Sequence, residues 1–341
     1  MTAGLRILDP GVASTVQDCG RPGYQRFGVP VSGAVDTVSL AVANSLAGNP
    51  PCTGAIEVMG TGLAFRVEAD AVTVALAGSA APFAIENARA KVWIAPFRSV
   101  VARRDDVVRF LPPKNGAVIY IAVTGGFDLP PALGSVSTYR RAVLGGFRGR
   151  PLAAGDILPL CLPDAARSPV RIELDISPPP VLRVMRGPND DYFTAAAFEA
   201  LLSTDYTVSP SSDRMGLRLK GAPLDRCIQK ELPSQATTAG ALQVPPDGQP
   251  ILLLADRQTT GGYPRIATVI GADMPAAGRL TAGISLRFQE VEREEAIRAL
   301  EAQTKWLSSL GSLLKPAPTD ELTVEHLLTK NLIDGVTTGS G

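Results

Sequence analysis

Glycine and proline interrupt this chain so often that most of it has room only for short elements. They account for 33 and 29 of 341 residues, about 18% against roughly 12% in average usage. Between them lie brief apolar runs with β character, at 5–7, 63–67, 72–76, 92–94, 107–111 and 118–123. After a break come 170–176, 181–185, 217–219, 251–254, 265–270 and 284–288. Short strands divided by turn residues predict barrels or sandwiches, not a regular βαβ winding. Helical spacing is confined to a few places. Asp36 is placed to cap a helix over 37–46 that Gly48 ends, and Thr194 to cap one over 195–202. The longest helix is expected over 290–310, with Ile297, Leu300, Thr304 and Leu307 at three- and four-residue steps. A short amphipathic piece, 324–332, follows a stiff Lys315-Pro316-Ala317-Pro318 linker. Proline clusters between 163 and 180 suggest a junction. The chain is therefore expected to be mainly β: an N-terminal lobe over 1–165, a connector over 166–180, a second lobe over 181–289 and a helical extension over 290–341.

Charge and rare residues narrow the chemistry. Lys plus Arg and Asp plus Glu are both 33, so the net charge is zero. No strong basic field exists to favour nucleic acid or an anionic membrane as the main partner. The uncharged run 71–85 is too short and too broken by Gly, Ser and Pro to span a bilayer. No basic, then apolar, leader opens the chain. Cys19, Cys52, Cys161 and Cys227 form no CxxC pair, which argues against a zinc or redox motif and favours a reducing, cytoplasmic setting. There is one histidine, His326, near the C-terminal end. Histidine-dependent nucleophile chemistry and multi-histidine metal hydrolysis are both disfavoured, and no metal site is expected.

Four polar, glycine-rich segments remain as candidates. The first, Gln17 to Gln25 and on through Ser32, Gly33 and Asp36, leads into a helix start whose free N–H groups suit an oxyanion or carbonyl. Gln17, Arg21, Ser32 and Gly33 are its candidate binding residues. Asp36 is a candidate for moving protons, a role no more favoured than N-capping. The second, 125–150, carries Arg140 among four arginines, whose planar forks match carboxylates. It lacks the P-loop pattern. The third, 209–219, offers Arg214. The fourth, 256–265, sits between two apolar runs, where sheet proteins present functional groups. It holds Gln258, Thr260, Gly262 and Arg265 as binding candidates and Tyr263 as a catalytic one.

In this order the segments resemble the allophanate hydrolase subunit 2 family of biotin-dependent carboxyltransferases. The resemblance rests on TVQDCGRPGYQRFGVPVSGAVD, GGFDLPPALGSVSTYRRAVLGGFRGRPLAAGD, RVMRGPNDDYF, SPSSDRMGLRLKG and GALQVPPDGQPILLLADRQTTGGYPRIATV. It covers residues 12 to 335, nearly the whole chain. It implies two cyclophilin-like β-barrel lobes and a component of a 5-oxoprolinase-type complex, which converts 5-oxoproline, ATP and water to glutamate. The partners it implies are a KipI-type subunit 1 protein and a LamB/YcsF-type subunit, besides the small substrate. None of the seven lysines has methionine neighbours, so biotin is expected only from a partner, and ATP only in the complex. Two other readings compete: carboxyl transfer from biotin to urea, and a non-catalytic KipA-type regulator of a KipI-type partner. Both enzymatic readings require the distant loops, with Arg21, Arg140, Arg214 and Tyr263, to meet in one cleft.

Overall fold

The structure, a computed structural model, describes residues 3–60, 62–79, 82–111, 118–174, 181–228, 230 and 232–317. Two-residue alternation explains its layers. In the strand Val118–Val123 every residue is buried. Ile119, Ile121 and Val123 enter one core, and Val118, Tyr120 and Ala122 the other. The strand thus lies between two apolar layers.

The first core fills the space between two sheets. One has six strands, in the order Ile157–Pro159, Gly4–Asp9, Ala64–Val67, Val107–Phe110, Phe83–Glu86 and Lys91–Ile94. The other runs Ala13–Gln17, Ala55–Met59, Val118–Val123, Ala71–Gly78, Arg98–Arg103, Val170–Arg171 and Lys315–Pro316. The second core lies on the outer face of that seven-stranded sheet, under the helix Thr37–Ala47. Ala41, Ala43, Ala75, Ala77 and Ala122 let helix and sheet approach closely. Asp36 caps the helix by accepting from Ser39 N–H at 3.0 Å, and Gly48 closes it in the left-handed conformation.

The C-terminal lobe is a closed seven-stranded barrel around a third core. Its order is Val181–Arg186, Arg265–Val269, Ala241–Gln243, Ile251–Leu253, Gly216–Lys220, Tyr206–Val208 and Ser285–Glu290. The seam between Val181–Arg186 and Ser285–Glu290 is parallel. Thr194 caps the helix Ala195–Ser203 as expected.

The molecule is mainly β, and most expected runs are strands. The long helix covers Arg293–Ser308, starting later than its spacing suggested. Pairing with Val181–Arg186 holds the chain extended through Glu290, and Val291 N–H still bonds Val184 O at 2.9 Å. Within the described part of the expected strand 170–176, Val170–Arg171 forms a strand bridging Arg98–Arg103 and Lys315–Pro316, and 175–176 lie outside the described residues. The end of the described chain therefore returns to the N-terminal lobe. His326 and the piece 324–332 lie outside the described residues.

Candidate functional site

A cleft of about 730 Å³ opens between the lobes. Its N-terminal wall includes Thr15, Glu57, Tyr139, Arg140 and Arg141; its C-terminal wall includes Ser212, Asp213, Arg214, Met215 and Asp256.

At its floor a guanidinium is clamped between two acids. Arg214 Nε donates to Asp256 Oδ2 at 2.9 Å and Nη2 to Asp256 Oδ1 at 3.2 Å, while Nη1 bonds Glu57 across the lobe boundary. Nη2 also donates to Gly33 O at 2.6 Å. Burial alone would depress the Arg214 pKa, but the charges of Glu57 and Asp256 outweigh it and hold the guanidinium above its ordinary value. The other Glu57 oxygen accepts from Tyr120 Oη at 2.5 Å and Val35 N–H at 3.1 Å, and Tyr120 Oη in turn accepts from Asp36 N–H at 3.0 Å. Burial, then the Glu57 charge, pushes the Tyr120 phenol well above its usual value. The Arg214 guanidinium, bonded on every nitrogen, is a fixed strut. Two carboxylates around one cation leave the floor with excess negative charge.

The mouth is the opposite. Arg140 and Arg141 are exposed and form no ion pair among the described residues. Their loop is held from beneath by the first polar segment. Asp18 accepts from Ser135 Oγ at 2.6 Å, Val136 N–H at 2.7 Å and Ser137 Oγ. Gln17 Nε2 donates to Thr138 O at 3.2 Å, and Arg21 to Ala132 O and Ser137 O. The first two candidate segments are thus mutually supporting parts of one wall. A disulfide between Cys19 and Cys52 ties the same wall to the connection after the helix Thr37–Ala47. Cysteine usage therefore no longer argues for a reducing compartment; a separation of 33 residues gave no sign of the pairing.

The expected residues divide into groups. Arg140 and Arg214 share the cleft, and Gly33 touches it through its carbonyl. Arg21 lies behind the wall, almost fully buried, its pKa lowered by desolvation against the raising effects of Asp18 and Asp256. Gln17 and Ser32 are also buried, and Gln17 Oε1 and Ser32 Oγ have no hydrogen-bond partner among the described residues. Asp36 is fully buried, holding Ser39 and pairing with Arg279 at 2.8 Å, which makes it a junction between the lobes. The fourth segment forms a separate cluster at the barrel. Arg265 is bonded to Asn189, Ala236 and Gln235, and Gln258 to Gln243 at 2.9 Å. Thr260 and Gly262 lie beside them, with Thr260 in a two-residue strand paired to Gln235–Ala236. Tyr263 is 45% exposed and is not part of the cleft wall. The expectation that Arg21 and Tyr263 meet Arg140 and Arg214 in one hollow is corrected: Arg21 is buried behind the N-terminal wall and Tyr263 is exposed on the barrel lobe, and neither lines the cleft. Sequence reading did not single out Glu57, Asp256 or Tyr120. The one usable signal was a lone acid inside the apolar run Ala55–Met59.

A barrel lobe facing a sandwich lobe across a charged cleft is the architecture of a carboxyltransferase domain. Residues 27–290 match the family described as carboxyltransferase domain, subdomain A and B, and the chain belongs to that family. Its relatives include the C component of 5-oxoprolinase from Haemophilus influenzae, 38% identical over 86% of this chain and 93% of the relative. The corresponding 5-oxoprolinase component of Escherichia coli is 35% identical over 90% of this chain and 97% of its own. Among solved structures, the K. lactis urea amidolyase superposes with a TM-score of 0.84 at 26% identity, covering 93% of this chain and 20% of that one. No helix among the described residues is long and apolar enough to cross a membrane.

Proposed function

We propose that this chain is the C component of an ATP-dependent 5-oxoprolinase complex, and that the inter-lobe cleft receives the 5-oxoproline. The reading is carried by similarity along nearly the full length of two such 5-oxoprolinase components, and the polarity of the cleft supports it. The substrate is a small planar lactam with one carboxylate. Unpaired Arg140, with Arg141 beside it, is suited to grip that carboxylate at the mouth. The negative floor at Asp256 and Glu57 suits the lactam N–H. Arg214 then acts by positioning these acids and not by touching substrate. ATP supplies the driving force and is assigned to the partner subunits, since no phosphate loop occurs in this sequence. KipI-type and LamB/YcsF-type proteins are the proposed partners.

Omission is the direct test. The three purified subunits should hydrolyse ATP in response to 5-oxoproline, and leaving out this chain should abolish the response. Turnover that is undiminished without it would end the proposal. The likeness to the urea amidolyase supports a second reading, carboxyl transfer from a biotin borne by a partner. That reading predicts bicarbonate dependence and inhibition by avidin; the 5-oxoprolinase reading predicts neither.

A further inference from the structure

Residues 129–155 contain four arginines and no acid, in a chain of zero net charge. Only Arg150 is paired there, with Asp156 at 2.7 and 2.8 Å. Arg140, Arg141 and Arg148 are exposed and have no ion pair among the described residues. Beside them Val143 is 70% exposed, although valine is usually buried. Its φ of 51° is left-handed, a conformation that a β-branched side chain strongly resists. Three of the seven non-glycine residues with positive φ among the described residues lie in this stretch: Leu133, Val143 and Arg148. Such strain persists only where the surroundings impose it, and it clusters at functional surfaces. The surroundings here do impose it. Tyr139 and Leu144 bond each other's backbone at 2.8 and 3.1 Å, closing a tight hairpin tip. Gly149 packs so closely that a Cβ there would stand 2.3 Å from the Val143 carbonyl carbon.

We propose that the tip 140–143, with Arg148, is a docking surface for a partner polypeptide that presents acidic groups around an apolar contact. The proposal rests on reading the chain as one member of a multi-protein complex. Charge complementarity identifies the occupant: three exposed guanidiniums with no ion pair among the described residues share this loop with one exposed apolar side chain, Arg148 resting over the Phe147 ring. A rigid tip loses little entropy on binding, which is the advantage that holding Val143 in a strained conformation provides. The tip also borders the cleft, since Arg140 and Arg141 line it. A docked partner would therefore cover the mouth.

The test uses the full chain with its partner subunits, and association is measured by analytical ultracentrifugation. Arg148→Glu should weaken association about tenfold or more, and the wild-type affinity should fall as salt rises. Val143→Gly should weaken association similarly while leaving the melting temperature of the isolated chain unchanged or higher, because glycine accepts the left-handed backbone. Two variants that associate like wild type would overturn the proposal. So would a wild-type chain that does not associate, or loss of binding to a nonspecific polyanion with assembly of the complex untouched. A complex that assembles through this tip but shows no 5-oxoproline-dependent ATP turnover would sink the enzymatic reading and leave the docking surface standing. Intact turnover with assembly indifferent to both variants would do the reverse.

Discussion

Arg140 and Arg214 are both arginines on the cleft wall, yet their environments give them different work. Arg214 is saturated by Asp256, Glu57 and Gly33 O, so removing it leaves two acids buried without a counter-charge. Arg214→Ala should cost about 3–5 kcal/mol of folding stability, read from urea unfolding. Tyr120 links the same acids to the helix start. Its folded pKa is raised, so its contribution is complete below the unfolded value of about 10 and is lost as pH climbs toward the folded value. Stability should therefore decline with alkalinity from about pH 10. Tyr120→Phe should reduce that slope, with the remainder attributable in part to Tyr206, whose pKa burial also raises. The sequence made Arg140 and Arg214 visible because arginines in glycine-rich turns stand out. It concealed Glu57 and Tyr120, which lie inside apolar strands and acquire meaning only when Arg214 arrives from 157 residues away.

Among elements, the loop 132–147 depends on a single carboxylate. Asp18 satisfies Ser135, Val136 and Ser137 at once. Asp18→Ala should leave both lobes folded but raise amide hydrogen exchange across 133–147, by freeing those groups together. Unchanged protection there would show that the Gln17 and Arg21 bonds to Thr138 O, Ala132 O and Ser137 O hold the loop without Asp18. Strands such as Val118–Val123 were legible because their residues are uniformly apolar. Ala13–Gln17 was not, since Ser14, Thr15 and Gln17 give no apolar run, and in Ala55–Met59 the apolar run is interrupted by Glu57, although all four polar residues are buried. Their polar groups find partners only in the folded wall. The capped helices were predicted well because a cap is a local device: Asp36 and Thr194 meet N–H groups three residues away.

For the whole molecule, the two lobes are joined by charge as much as by apolar packing. Arg214 with Glu57 and Arg279 with Asp36 both cross the boundary, and all four side chains are buried. Replacing Arg279 with methionine should leave Asp36 without its partner and lower the melting temperature, with the lobes separating in a less cooperative transition. A single sharp transition at the wild-type temperature would contradict this.

The claim that the inter-lobe cleft takes the substrate through its mouth has one direct measurement: the KM for 5-oxoproline in ATP hydrolysis by the assembled complex, wild type against Arg140→Ala. Arg140 is exposed and has no ion pair among the described residues, so the variant should fold normally; assayed with partner subunits in enough excess to saturate assembly, it should show KM raised roughly ten- to a hundredfold and kcat changed far less. An assembled Arg140→Ala complex whose KM matches wild type would contradict it.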